Sequence, residues 1–158
     1  MPAIVTVENH STESAPSEDD IRRWISAALT HHRPESTIDV RLVDAAESAE
    51  LNRHYRGKNG PTNVLAFAAE LPAWLESPLL GDIVVCSPLV IAEARQQGKH
   101  VQAHWAHLLV HGTLHLLGYD HKTDKGASQM ESLETRVLTA LNFPPPYAED
   151  DRDQSQPS

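Results

Sequence analysis

Two histidines four residues apart, followed by a glycine and a third histidine, restrict the fold more than any other part of the sequence. The segment contains His111, His115, Gly118 and His121 in the pattern HxxxHxxGxxH. Apolar residues around the first two histidines predict a helix, and residues i and i+4 of a helix lie on one face. Gly118 can end that helix in a left-handed conformation and let the chain turn back. The spacing therefore predicts three imidazoles around one metal ion.

Three neutral imidazoles suit zinc, and a site with three protein ligands keeps a fourth position open, as catalytic zinc sites do. Imidazole also binds nickel, copper and iron, so the residues alone leave the identity of this single ion open.

A solvent-facing stripe is the other interpretation of these histidines, because His100, His104 and His107 continue the helical spacing of His111 and His115. A solvent-facing stripe would require neither Gly118 nor His121, so the presence of both residues favours the metal site. For His104 and His107 we expect packing or hydrogen bonds behind that site.

The same histidine spacing occurs in the metzincin proteases, where a glutamate follows the first histidine and acts as general base. In this chain Gly112 stands at that position. A metal-dependent peptidase is therefore an alternative that only the spacing supports. A glycine inside a helix costs about 1 kcal/mol relative to alanine, so Gly112 indicates that another group lies close to the helix backbone. Asp120 is the nearest acidic residue, and we expect it to stabilise a turn or to hydrogen-bond a histidine.

A second group of polar residues ends a predicted helix and opens a turn-prone loop. Arg53, Arg56 and Lys58 give this segment a formal charge of +3, in a chain whose net charge is −9. Arginine can bind phosphate through two parallel hydrogen bonds. A solvated helix end is the alternative, because the helix dipole favours cations there in any case. The net charge excludes a generally basic nucleic-acid-binding surface, but it is compatible with a local patch.

Length and composition are those of an ordinary globular chain. The 158 residues, with 40% apolar and 22% charged, suit a single domain. We expect residues 1–147 to form that domain and residues 148–158 to be an acidic, disordered tail. Cys86 is the only cysteine, which excludes an intrachain disulfide and fits a reducing compartment. The N-terminus lacks the pattern of a secretory signal, and the histidine-rich segment is a poor membrane span.

Hydrophobic periodicity predicts four strands and five helices. The strands are expected at residues 3–8, 37–44, 64–68 and 81–86. The helices are expected at residues 17–32, 44–55, 87–98, 100–118 and 124–141. Capping residues mark three of the helix starts, namely Ser17 with Asp20, Asp44 with Glu47, and Ser87 before Pro88.

Taken together, these residues resemble the YbeY family of bacterial metal-dependent endoribonucleases. The similarity covers about residues 37–147, and its most specific block runs from His111 to His121. The other blocks are Leu51-Asn52, Tyr55-Arg56-Gly57-Lys58, Pro61-Thr62-Asn63-Val64-Leu65, Leu80-Gly81-Asp82-Ile83-Val84, Gln97-Gly98-Lys99, His104-Trp105-Ala106-His107, Met130-Glu131, Leu133-Glu134 and Pro146-Tyr147. Departures from the family at Asn59, Ala66 and residues 126–129 lie outside the histidine motif and Arg56.

The resemblance implies an α+β, zincin-like fold, in which a small mixed sheet of about four strands packs with about five helices. It implies Zn²⁺ ligands at His111, His115 and His121, and a catalytic role for these residues and Arg56. It also implies an endonuclease that cleaves single-stranded RNA in the cytoplasm, with no membrane or DNA partner. Its expected roles are maturation of the 3′ end of 16S rRNA and ribosome quality control, with the small ribosomal subunit and its assembly proteins as partners. A non-catalytic ribosome-assembly factor with a structural metal is a further alternative.

Overall fold

The structure is a computed structural model that describes residues 3–72 and 74–147. The acidic tail expected at residues 148–158 lies outside these residues, so the division into domain and tail stays a prediction. Within the described ranges the elements follow in the order β1 (Ile4–Asn9), α1 (Glu18–Leu29), β2 (Thr37–Val43), α2 (Ala45–Arg56), β3 (Val64–Ala68), β4 (Leu79–Cys86), α3 (Ser87–Gln97), α4 (Val101–Leu116) and α5 (Asp124–Ala140). The four strands and five helices predicted from periodicity are thus confirmed.

The strands form one mixed sheet in the order β1-β2-β4-β3 within the part of the chain described. β1 pairs parallel with β2, and β2 pairs parallel with β4, whereas β3 pairs antiparallel with β4. Parallel neighbours need a crossover connection, which α1 supplies between β1 and β2. The segment containing α2 and β3 connects β2 to β4 and leaves β3 at the edge of the sheet. This arrangement confirms the predicted α+β class.

Of the three predicted helix caps, one is confirmed, one is right in position but makes no capping hydrogen bond, and one is wrong. The hydroxyl of Ser17 accepts a hydrogen bond from the first turn of α1, as predicted. Asp44 lies at the N-cap of α2, but its carboxylate accepts a hydrogen bond of 2.6 Å from the Ser11 hydroxyl instead of capping the helix. Ser87 lies inside α3, and Cys86 takes the N-cap position, because β4 runs directly into this helix. The preference of these residue types for capping is overridden at α2 by a tertiary contact and at α3 by the preceding strand.

Helix α4 is the central helix of the core and contacts α1, α3, α5, β3 and β4. Most of its residues are buried, so little of its surface is available to polar side chains. Gly112 permits its close approach to the sheet, since a Cβ atom there would lie 3.2 Å from Cγ2 of Ile83 on β4. The group expected to lie close to the backbone at Gly112 is therefore a sheet side chain.

The two faces of the sheet carry separate apolar clusters. Ile83 and Val85 on β4 belong to the main core with α1 and α4. Val84 and Cys86 alternate with them along the strand and therefore lie on the opposite face, where Leu51 of α2 packs. Helix α4 and helix α2 consequently lie on opposite sides of the sheet. Among the residues described, no helix combines the length and hydropathy that a membrane span requires.

Candidate metal centre

Helix α4 and the loop after it bring the three histidines of the motif together. His111 and His115 lie one turn apart on α4, and His121 lies five residues beyond the end of the helix. One nitrogen from each ring lies within 4.8 Å of the other two. The ring centroids of His111 are 4.9 Å from His115 and 5.7 Å from His121, and the last two are 5.3 Å apart. This cluster could hold a metal ion.

A tight turn returns the third histidine to the helix. Gly118 adopts the φ of +106° that a residue with a side chain rarely takes, as its place in the motif predicts. The hydroxyl of Tyr119 forms a hydrogen bond of 2.9 Å with Nε2 of His32, which fastens the turn to the segment after α1. Asp120 accepts a hydrogen bond of 3.0 Å from the backbone N–H of Lys122 and so stabilises the turn, as expected.

A buried glutamate on α5, to which the sequence analysis assigned no role, lies behind His111. Glu134 is 0% exposed, and its Oε2 atom lies 2.5 Å from Nδ1 of His111. Its Oε1 atom accepts hydrogen bonds from Nε2 of His107, at 3.1 Å, and from the Tyr147 hydroxyl. Burial raises the pKa of Glu134, but hydrogen bonds from His107 and His111 outweigh burial and hold the pKa at about 2. The carboxylate is therefore ionised at neutral pH.

The protonation of His111 follows from this contact. An ionised carboxylate can only accept hydrogen bonds, so Nδ1 of His111 carries the proton that is donated to Glu134. In the neutral ring this leaves the lone pair on Nε2, which is the form of imidazole that binds a metal. His107 hydrogen-bonds behind the cluster, as expected, and His104 does the same with Glu93 on α3 at 2.9 Å.

A sequence signal for Glu134 does exist. Met130, Glu134 and Leu138 follow one another at a spacing of four on α5, and all three are buried. A glutamate is almost never fully buried unless it is paired. An acidic residue in the middle of an apolar stripe therefore indicates polar partners inside the core, although periodicity alone does not identify them.

Burial keeps His115 in its neutral form. It lowers the pKa of His115 to about 4, and coulombic interactions with His111, His121 and Arg56 act in the same direction. The imidazole is neutral at pH 7, as a metal ligand must be. Because the charge of Arg56 lowers the pKa of His115, the guanidinium lies within electrostatic range of the histidine cluster.

Arg56 is the last residue of α2, and buried polar residues hold the loop that follows it. Gly57 closes the helix with a φ of +66°. The hydroxyl of Ser48 and the amide of Asn52, both buried, each donate a hydrogen bond of 2.9 Å to a backbone carbonyl of loop 57–63. In the described part of the chain no carboxylate forms an ion pair with Arg56, and its side chain is exposed. The guanidinium is therefore free to bind an anion.

A groove of about 880 Å³ adjoins Arg56 on the face of the sheet that α2 covers in part. Tyr55 lines this groove with 61% of its surface exposed, and its ring centroid lies 5.0 Å from that of Phe67. The charged residues that line the groove are of both signs: Arg41, Arg56, Glu8, Asp39, Glu70 and Asp82. Burial raises the pKa of Asp82, and the neighbouring Asp39 carboxylate raises it further. Arg41 forms an ion pair with Glu47 at 3.3 Å, whereas Arg56 forms none among the described residues, so Arg56 carries the positive charge that suits a phosphate.

Fold and site together define an α+β protein with a candidate three-histidine metal centre at its central helix, and with an arginine nearby that forms no ion pair among the described residues. Residues 6–142 match the family described as Endoribonuclease YbeY, and the chain belongs to that family. This membership confirms the resemblance found in the sequence and identifies the chain as an endoribonuclease, a hydrolase that acts on RNA. The solution structure of TM1509 from Thermotoga maritima has a similar fold, with 20% identity, a TM-score of 0.59, and coverage of 98% of this chain and 100% of that chain.

Proposed function

We propose that this endoribonuclease is zinc-dependent and hydrolyses single-stranded RNA, acting in maturation of the 3′ end of 16S rRNA and in ribosome quality control. Membership of the YbeY family supports RNA as the substrate. The convergence of His111, His115 and His121 is the observation that supports metal dependence. The partners in this proposal are the small ribosomal subunit and its assembly proteins in the cytoplasm.

The donor set fits zinc. Three imidazole nitrogens converge, and His115 is neutral at pH 7. His121 is exposed, which keeps one side of the cluster open to solvent and to RNA. When bound, zinc supplies a Lewis acid that lowers the pKa of a coordinated water toward about 7. Nickel also suits imidazole donors, so the choice of zinc belongs to the proposal.

The residues of the chain itself account for the remaining steps. Arg56 binds the phosphate to be cleaved and neutralises the charge that grows on it in the transition state, a contribution of about 3–4 kcal/mol for a well-aimed donor. Glu134 accepts a hydrogen bond from Nδ1–H of His111. The net charge of −9 does not prevent RNA binding, because salt screens charges beyond about 8 Å and the +3 segment acts locally.

Two alternatives are weakened by the structure. Gly112, at the position of the metzincin general base, faces Ile83 of the sheet, so this position offers no proton acceptor, and a side chain there would press against Ile83. A structural zinc site is closed by four protein ligands, whereas three histidines form this cluster within the described residues and one of them is exposed. Both observations favour a catalytic site for RNA over a peptidase or a structural metal site.

The test is cleavage of a fluorescently labelled single-stranded RNA by the full-length, zinc-loaded protein. We expect cleavage that a chelator abolishes and added zinc restores. Arg56→Glu should lower kcat/KM at least about 100-fold, because it removes a donor aimed at the transition state, while the zinc content stays at the wild-type value. Arg95→Glu is the matched control, since Arg95 is exposed on α3 and lines a different surface pocket.

Each other outcome contradicts a part of the proposal. Wild-type activity in zinc-loaded Arg56→Glu would exclude the role of that arginine. Cleavage of casein or peptides without cleavage of RNA would favour a peptidase. RNA binding without cleavage at any metal loading would favour an assembly factor.

A further inference from the structure

Three polar side chains behind the candidate metal centre form a connected hydrogen-bond network with His111. We propose that Glu134 is a positioning residue, which selects the tautomer and direction of His111, and that His107 and Tyr147 hold Glu134 in place. The inference rests on the metal site of the proposed function. It extends that site by the layer of residues behind His111.

The network satisfies both oxygens of the buried carboxylate. Oε2 of Glu134 lies 2.5 Å from Nδ1 of His111. Oε1 accepts hydrogen bonds from His107 and from the Tyr147 hydroxyl, which also lies 3.3 Å from Nε2 of His107. Because a buried carboxylate needs such partners, the three donors fix where Glu134 lies.

The direction of His111 follows from this arrangement. A carboxylate is only an acceptor, so the proton of His111 must be on Nδ1 and the lone pair on Nε2. Because Nδ1 is held by Glu134, Nε2 is the ring nitrogen left to join His115 and His121 in the cluster. A carboxylate hydrogen-bonded to a ligating histidine in this way orients the ring and makes it a stronger ligand.

Packing of α5 does not by itself require a carboxylate at this position. Met130 and Leu138 are buried on the same helix, and Leu133 and Val137 pack against the core as well. Well-packed side chains of similar volume can replace buried charged groups without loss of stability. The specific contribution of Glu134 is therefore to the imidazole that it contacts.

The experiment compares two isosteric variants of full-length protein on one helix. Glu134→Gln keeps the volume, but its amide both donates and accepts and no longer dictates the tautomer of His111. Glu131→Gln makes the same change at an exposed position of α5. The zinc dissociation constant, measured by competition with a chromogenic chelator, should rise about 10- to 100-fold in Glu134→Gln. It should equal the wild-type value in Glu131→Gln.

A second measurement needs neither metal nor activity. Long-range ¹H–¹⁵N NMR spectra of the metal-free proteins report which nitrogen of His111 carries the proton. We expect Nδ1–H in the wild type and in Glu131→Gln, and an increased share of Nε2–H in Glu134→Gln. A role of Glu134 in folding alone would change thermal unfolding but not the tautomer of a folded protein.

Tyr147→Phe keeps the test decisive if Glu134→Gln does not fold. It removes one donor to Glu134 and should weaken zinc binding by a smaller factor in the same direction. Unchanged zinc affinity and an unchanged His111 tautomer in folded Glu134→Gln, or in Tyr147→Phe if the first variant fails to fold, would overturn the inference. If the wild type binds no zinc, the proposed function fails, whereas the His111 tautomer still decides the positioning role.

Discussion

At the scale of single residues, tertiary contacts separate histidines that share one helical spacing. His104 pairs with Glu93 on α3, and His107 pairs with Glu134 on α5. The next two histidines of the stripe meet His121 and form the cluster. The sequence motif predicted which three would converge, because a turn of fixed length returns the third. It could not reveal Glu134, because that residue reaches the site from a different helix, 23 positions after His111.

His115→Ala should remove the metal from the protein. The variant leaves two imidazoles, which are too few to retain zinc against dialysis in a site built from three neutral ligands. We expect elemental analysis to show about one equivalent of zinc in the wild type and a small fraction of one in the variant. His100→Ala is the control, because His100 lies on the same stripe but is exposed at the start of α4. A full equivalent of zinc in folded His115→Ala would contradict ligation by this residue.

At the scale of elements, periodicity predicts the helices and strands but neither their caps nor their order in the sheet. The apolar spacing of α1 and the alternation of β2 are local properties of the chain, so their bounds are close to those predicted. The cap of α2 is different, since Asp44 bonds to Ser11, which lies 33 positions away. Strand order depends likewise on pairing between distant residues, which local propensity does not encode.

Gly81→Ala should destabilise the fold through a clash with backbone. Gly81 on β4 has a φ of +153°, and a Cβ atom there would lie 2.2 Å from the carbonyl oxygen of Phe67 and 2.8 Å from Cδ2 of Leu116. The carbonyl belongs to β3 and cannot move without loosening the β3–β4 pairing. We expect the free energy of unfolding, measured in urea, to fall by about 2–4 kcal/mol, from backbone strain and overpacking together.

Gly98→Ala is the control that measures the cost of a left-handed backbone without a steric clash. Gly98 has a φ of +65°, and a Cβ atom there would meet nothing within 4 Å. Its substitution should cost about 1–2 kcal/mol, the penalty of the left-handed conformation alone. Equal losses in the two variants would show that the β3–β4 edge yields to the added methyl group.

At the scale of the whole molecule, the distribution of charge matters more for anion binding than the net charge does. The chain carries −9, and the residues that line the groove beside Arg56 include four acids, Glu8, Asp39, Glu70 and Asp82. The net charge and the +3 segment could be predicted from the sequence. The groove could not, because its acids come from β1, β2, β4 and the segment after β3 and meet only when the sheet forms. Arg41 in this groove is paired with Glu47, so Arg56 carries the positive charge that remains for an anion.

Acid should destabilise the metal-free protein in part through His115. The pKa of His115 is lowered from 6.5 to about 4, first by burial. Between these values the unfolded chain binds a proton that the folded protein does not, so the free energy of unfolding falls as pH falls from 6.5 toward 4. Above pH 6.5 the residue contributes nothing to this dependence. Glu134 acts with the same sign but only from 4.5 down to about 2, so its contribution is intact near pH 5.

A variant that cannot titrate isolates this contribution. Urea unfolding of metal-free wild type and His115→Gln is compared at about pH 7.5 and about pH 5. Buried His104 and the distant carboxylates titrate alike in both proteins, so the difference between the two losses reports His115 together with its coupling to His111 and His121. We expect the free energy of unfolding to fall by less in His115→Gln than in wild type, and His100→Gln to match the wild type. Equal losses in all three proteins would show that His115 takes up its proton as readily when folded as when unfolded, and hence that burial does not keep this imidazole neutral for a metal.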